Sequence, residues 1–468
     1  MGSSFLWQMP FGVLVLAAAF SYSTYRRRLI DTTHGEAAFV VVGGWSSSGT
    51  HLYELGSLNK LGSTMALGSF SEAVVPLPGT CTLAAGSSLC CDGTTPATYN
   101  TSPKWTDEGG MGFTAVCAVQ CALRTATFTL SSPGKARVDH PSFVATPTSA
   151  TPSHGIAPAS LAYHPAGKLL VANFGGNPPV EYGGNAAILD WRKASFSSGG
   201  AASLVASSAK TSPILHPTSH IHFVATDESC GSESYALLVD SGPFSIMESP
   251  VWAVHIVHPR TGAIEDAVHM PMRPRQITLH PTLPIAYVIY ELSGKLGVWS
   301  WPRCSKWKRP FDVAATPATT GTAMLPTRPK ELQQLSTTAS GTGPALTGGL
   351  GWPGPAAPTR AMLSPGANLL HVCGRNRPTG EIATYSVDGE GMLSLVGFTP
   401  TVGTNPRECT LSPGGETLLE VDTDRGTLAS YDVSASGTLQ RTKVIDGLEQ
   451  PNTLLVWAPP TQCHNSAV

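Results

Sequence analysis

The chain has 468 residues, a formal net charge of −2 and 13% charged residues, against about 25% in an ordinary soluble domain. A nucleic-acid or acidic-polymer partner would draw on a basic surface, and nothing in that balance supplies one. The 48 Gly and 39 Pro, with 41% apolar residues, argue for many short strands and tight turns around a core and against disorder.

The first element is the apolar run FLWQMPFGVLVLAAAFSYS over residues 5–23, followed by Arg26, Arg27 and Arg28. Its length suits either a secretory signal or a short membrane span. A span with the arginines behind it leaves the body on the cytoplasmic side. Cleavage near Ala17–Ala19 makes the body lumenal or secreted. Residues 1–28 are therefore read as a signal sequence or membrane anchor, with attachment through residues 5–23. Localisation stays open between the membrane or secretory pathway and the cytoplasm.

Five of the ten cysteines, Cys81, Cys90, Cys91, Cys117 and Cys121, crowd into one segment. They lack the paired C-x-x-C knuckles of a zinc site, so local disulfides in an oxidising compartment are the alternative. Asn100-Thr101-Ser102 in the same segment is a glycosylation sequon. Cys373 and Cys409 lie within apolar runs and read as buried free thiols.

From residue 37 onward the chain repeats. ASLAYHPAGKLLVANF (159–174), RQITLHPTLPIAYVIYE (275–291), TRAMLSPGANLLHVCGR (359–375) and RECTLSPGGETLLEVDT (407–423) share a strand, a Pro-marked turn and a second apolar strand. Pro365 and Pro413 stand 48 residues apart, within the period of four-stranded propeller blades. Short runs bounded by Gly and Pro, with no sustained helical period, make the fold all-β. Counting units gives a seven-bladed β-propeller over 37–457. Its second blade, 75–150, is divergent and Cys-rich, and 303–357 reads as a surface insertion. NTLLVW (452–457) is placed to close the ring against the first blade.

In such a ring the innermost strands line a central channel, so polar residues ending apolar strands converge there. His220, His222, Arg275, Glu291 and Arg375 hold such positions, and Asn173 and Asp240 end equivalent strands. Glu291, Phe174, Arg375 and Thr423 fill one slot in four repeats. A purely structural residue would tend to recur there, whereas variation suits a composed site. A structural salt bridge between Glu291 and Arg275 is the competing reading. Arg407 reads as a brace for the last blade, Arg377 as a solvated neighbour of Arg375, and Arg273 has no assignment.

These residues carry a family resemblance. SHIH (219–222), RPRQITLHP (273–281) with YVIYELSGKLGVW (287–299), HVCGRNRP (371–378), NPRECTLSP (405–413) and GIAPASLAYHPAGKLLVANFGG (155–176) occur in the order seen in the lactonase family of seven-bladed propellers. That family includes cycloisomerase-type 6-phosphogluconolactonases and the carboxy-muconate lactonizing enzyme. Gln276 stands where the family has His, Arg273 where it has Gly, and Cys373-Gly374 where it has Ser-Asn.

The resemblance implies hydrolysis of a sugar-acid lactone in the central pocket, with no cofactor and no metal. It implies catalytic parts for Glu291, His220, Arg275 and Arg375, with His222 beside them as a substrate contact; Asn173 and Asp240, at equivalent strand ends, either contact substrate or cap turns. Glu291 and a histidine, His220 before His222, would share the proton transfers. Arg275 and Arg375 would hold the oxyanion and an anionic sugar lactone. A muconate-type cycloisomerase and a non-catalytic protein-binding scaffold are the other functions that the fold accommodates. Serine-hydrolase chemistry is disfavoured, since no G-x-S-x-G elbow is present.

Overall fold

The structure, a computed structural model, describes residues 38–44, 50–64, 71–76, 82–87, 122–131, 143–152, 158–175, 184–193, 202–211, 219–227, 234–242, 252–302, 328–339, 356–376, 379–457 and 464–465. The apolar run at 5–23, the cysteines of the 81–121 segment, the sequon and Arg377 lie outside these residues. Among the described residues no helix is long and apolar enough to cross a membrane.

Among the described residues seven sheets, antiparallel apart from one short parallel addition, make up the fold, each named here as a blade with its strands given from the channel outward. Blade 1 joins the two ends of the chain: Pro451–Trp457 pairs with Phe39–Gly44, followed by Thr50–Glu54 and Lys60–Thr64. This closure is the one expected from NTLLVW. Blade 2 runs Ser71–Pro76, Thr82–Ser87, Ala122–Ser131 and Phe143–Pro152, with His464–Asn465 added in parallel to its third strand. Blade 3 runs Pro158–His164, Lys168–Asn173, Asn185–Lys193 and Ala202–Thr211. Blade 4 runs Ile221–Thr226, Ala236–Asp240, Ala253–Val257 and Ile264–His269.

Blade 5 runs Pro274–Leu279, Ile285–Tyr290, Lys295–Ser300 and Lys330–Ser336. Blade 6 runs Ala356–Leu363, Leu369–Asn376, Glu381–Val387 and Leu393–Pro400, and blade 7 runs Pro406–Leu411, Thr417–Asp422, Thr427–Val433 and Leu439–Ile445. The innermost strands touch in sequence around a closed ring, blade 7 against blade 1 and blade 1 against blade 2.

The stretch 303–357, expected as a surface insertion, contains the outer strand of blade 5. That strand, KELQQLS, alternates exposed and half-buried residues. An edge strand covered on one side needs no continuous apolar run, so it leaves only a weak sequence signal.

The apolar second strands follow from the stacking of sheet on sheet. In Ile285–Tyr290 every residue is buried. Ala286, Val288 and Tyr290 pack with Val239, Val254 and Ile256 of blade 4. Ile285, Tyr287 and Ile289 pack with Leu370, Val372 and Tyr385 of blade 6. A strand covered on both faces reads as an unbroken hydrophobic run in place of an alternating one.

The recurrent HP and SP pairs cap the turns on the face away from the strand ends that carry Glu291 and Arg375. His280 Nδ1 accepts the N–H groups of Thr282 and Leu283, and His164 Nδ1 that of Ala166. Ser364 and Ser412 use Oγ for the N–H groups of Leu369 and Thr417. These histidines and serines satisfy backbone donors that the tight turns would otherwise leave open.

Cys373 and Cys409, expected as free thiols, form a disulfide with a Cα–Cα separation of 6.5 Å. Cys373 lies in the second strand of blade 6 and Cys409 in the first strand of blade 7, so the bond ties two blades together. Cysteines 36 residues apart meet only because adjacent blades stack, which neither strand reveals alone.

Directly across the ladder from Cys409 stands Glu420, a fully buried carboxyl to which Tyr431 OH donates at 3.4 Å. Burial first, then the charge of Asp422, pushes its pKa up to about 8, with Tyr431 and Arg441 opposing. A carboxyl whose folded pKa is raised binds its proton more tightly when folded, so stability falls as pH rises from the ordinary 4.5 toward 8 and levels off above it. Chemical denaturation of Glu420→Gln from pH 5 to 9 is expected to lose that decline and to exceed wild type by a few kcal/mol at pH 9. Parallel pH profiles for the two proteins would contradict it.

Candidate active site

All seven innermost strands carry a register shift near their start, after the first residue in six of them and after the third, Pro358, in blade 6. The skipped residues are Asn452, Glu72, Ala159, His222, Arg275, Thr359 and Arg407 in blades 1 to 7. A bulge leaves one residue out of the ladder and re-aims it. Four of these strands open on proline, at Pro158, Pro274, Pro406 and Pro451, and the blade 6 strand has Pro358 as its third residue, directly before the shift. Proline cannot donate to a ladder and is tolerated at such starts. The bulge thus supplies a ring of re-aimed positions at one mouth of the channel.

Glu291 follows the second strand of blade 5, and its N–H donates to Arg273 O at 3.1 Å. Its carboxylate is the hub of a buried charge cluster. Arg275 Nη1 donates to Glu291 Oε1, and Arg375 Nη1 from blade 6 lies 3.5 Å from the same oxygen. Arg273 Nε lies 3.8 Å from the other oxygen, Oε2. Arg273, Glu291 and Arg375 are only 3%, 6% and 7% exposed, so the pairs are largely desolvated and stronger than surface pairs. Arg275 Nε also donates to Thr359 O at 3.2 Å.

Burial works to raise the Glu291 pKa, but Arg275, Arg273, His222 and Arg375 overcome it and hold the carboxyl well below the usual range. Burial pushes Arg275 down to about 10, against the attraction of Glu291. Arg375 is pushed well below its ordinary value by burial and by the neighbouring charges of Arg275 and Arg407. Guanidinium groups crowded in this way would be relieved by an anionic ligand.

The two histidines of SHIH separate. His220 is tethered: its N–H donates to Asp240 Oδ1 at 2.9 Å, and its Nδ1 donates to Gly242 O at 2.8 Å. His222, the bulge residue, lies in the field of the cluster. Burial first, then Arg275, lowers its pKa well below 6.5, while Glu291 acts the other way. Phe174 touches both rings, with centroids 4.6 Å from His220 and 5.5 Å from His222.

Asp240 and Asn173 are buried. Asp240 Oδ1 accepts the N–H groups of His220 and Gly242, and its Oδ2 lies 3.4 Å from His255 Nε2. Hydrogen bonds from His255, Ser219 and Gly242 hold its pKa down against the cost of burial. Asn173 Nδ2 donates to Asn185 Oδ1 at 2.9 Å on the neighbouring strand. Both contacts fix strand ends. Arg407 Nε donates to Asn452 Oδ1 at 2.7 Å in blade 1, which suits the brace expected of it. Gln276 joins blade 5 to blade 6 through both amide atoms, each 2.9 Å from the backbone of Ala361.

Arg273 is the cluster member that sequence reasoning left unassigned. The available signal was an arginine set immediately before the proline of an inner strand.

A seven-bladed propeller with a cationic cluster at its channel mouth defines the class of the molecule. Residues 134–456 match the family described as "Lactonase, 7-bladed beta-propeller", and the chain belongs to that family. Among solved structures, the chain is similar to a candidate 6-phosphogluconolactonase from Bacteroides uniformis, at 19% identity and a TM-score of 0.60, covering 90% of this chain and 100% of that one. It is also similar to the periplasmic gluconolactonase of Pseudomonas aeruginosa, at 19% identity and a TM-score of 0.58, covering 90% and 99%. A second candidate 6-phosphogluconolactonase, from Bacteroides fragilis, aligns at 15% identity with a TM-score of 0.58 over 91% and 99%. No curated protein matches.

Proposed function

We propose that the chain hydrolyses the lactone of an anionic sugar acid at the channel mouth. The observation that supports this best is the gathering of Arg275, Arg375 and Arg273 around the single carboxylate of Glu291. Lactone hydrolysis develops negative charge on the former carbonyl oxygen, and preorganised guanidinium donors stabilise it by roughly 10²–10³ in rate per donor. The same groups fork onto a phosphate or carboxylate elsewhere on the substrate.

In this reading water attacks the lactone carbonyl while a neutral histidine takes its proton. The oxyanion of the tetrahedral intermediate faces Arg275 and Arg375. Its collapse breaks the ring C–O bond, and the histidine returns the proton to the departing alkoxide to give the open hydroxy acid. The base must be unprotonated and have a lone pair free to take the proton from water. Glu291, clamped by three guanidinium groups, is a poor base and serves as the anion that orients the arginines. The proton transfers pass to His222, which lies in the field of the cluster, and His220 supports the loop beside it.

Histidine-to-asparagine variants at the two positions test this assignment on an anionic sugar lactone. His222→Asn is expected to lower kcat by about 10²-fold or more, and His220→Asn to cost less and mainly in stability. Equal kcat for His222→Asn and wild type would remove His222 from the mechanism.

A further inference from the structure

Glu291 has a guanidinium group beside each of its oxygens, from different parts of the molecule. Oε1 meets Arg275 of blade 5 and Arg375 of blade 6. Oε2 faces Arg273, which lies in the connection from blade 4. The same residue receives the Glu291 N–H on its backbone carbonyl, so main chain and side chain of one residue lie against both ends of the glutamate. Arg273 also lies in the field of Asp240, the carboxylate that takes the backbone N–H of His220. It therefore stands between the histidine-bearing loop of blade 4 and the arginine cluster of blades 5 and 6.

A carboxylate pulled from one side only can turn or slide toward its partners. With Arg275 and Arg375 alone, Glu291 would be drawn onto them and would compete for the guanidinium donors that an incoming anion needs. A cation on Oε2 opposes that pull and keeps the carboxylate between the two sets of donors.

We propose that Arg273 is a positioning residue that acts through Glu291, holding its second oxygen so that Arg275 and Arg375 stay set to receive an anion. This rests on reading the channel mouth as the lactonase site, and it adds a residue that acts without touching the substrate.

A double-mutant cycle distinguishes action through Glu291 from a direct or merely architectural part, because residues that act through one another are not additive. Wild type, Arg273→Ala, Glu291→Gln and the double variant are compared in kcat/KM on an anionic sugar lactone. Their affinity for inorganic phosphate, read by calorimetry, needs no turnover. Arg273→Ala is expected to lower both quantities roughly tenfold in the wild-type background and to have little further effect beside Glu291→Gln. Arg273→Lys, which keeps one cationic donor near Oε2, is expected to recover part of the loss.

Additive effects, or no effect of Arg273→Ala, would overturn the inference. If wild type hydrolyses no lactone but its phosphate affinity shows the non-additive pattern, the lactonase reading fails and the part played by Arg273 stands. If wild type neither hydrolyses a lactone nor binds phosphate, both fall.

Discussion

Glu291→Gln is expected to lower kcat/KM on an anionic sugar lactone by about 10²-fold and to destabilise the fold by roughly 3–5 kcal/mol. The substitution keeps the volume and removes the charge. Arg275, Arg273 and Arg375, all buried, then face one another without their shared carboxylate, and breaking one partner of a buried pair leaves uncompensated charge behind. The pH dependence carries its own sign. A carboxyl whose folded pKa is depressed contributes stability above its unfolded value near 4.5 and loses it as pH falls toward the folded value. Wild type should therefore lose this contribution on acidification below about pH 4.5, and the variant should not. Denaturant titration at several pH values, alongside initial rates, checks both halves. A Glu291→Gln protein of wild-type stability and activity would remove the carboxylate from the centre of the site.

The second large effect is expected from the bond between blades. Replacing both cysteines, in Cys373→Ala/Cys409→Ala, should cost about 3–4 kcal/mol, because the bond closes a loop spanning 36 residues and restricts the unfolded chain accordingly. The loss should also reach the site, since Arg375 lies two residues beyond Cys373 and Arg407 two residues before Cys409. Relaxed packing between blades 6 and 7 would move these arginines against Glu291 and raise KM more than it lowers kcat. Urea unfolding and steady-state kinetics read the two effects. Unchanged stability in the double variant would show that packing between the blades suffices without the bond.

The repeats were legible because blade stacking forces the same demands on each copy: an apolar second strand covered on both faces, and a turn capped by His or Ser beside Pro. Those demands put Glu291, Arg275 and Arg375 at strand ends in the sequence, and in the structure the three lie together. Three features were not legible. The disulfide joins strands of different blades, so no local spacing announces it. The outer strand Lys330–Ser336 sits far along the chain from its partner Lys295–Ser300 and is covered on one side only. Arg273 was missed because it precedes its strand and reaches the site through the second oxygen of Glu291.

The most direct test is the initial rate of acid release by the wild-type protein, followed by pH-stat at pH 7. The substrates are a phosphorylated aldonic acid δ-lactone and its unphosphorylated counterpart. The account predicts turnover well above spontaneous hydrolysis, with kcat/KM at least about tenfold higher for the phosphorylated lactone, as guanidinium recognition of the second anionic group requires. No rate above spontaneous hydrolysis on either lactone would contradict it.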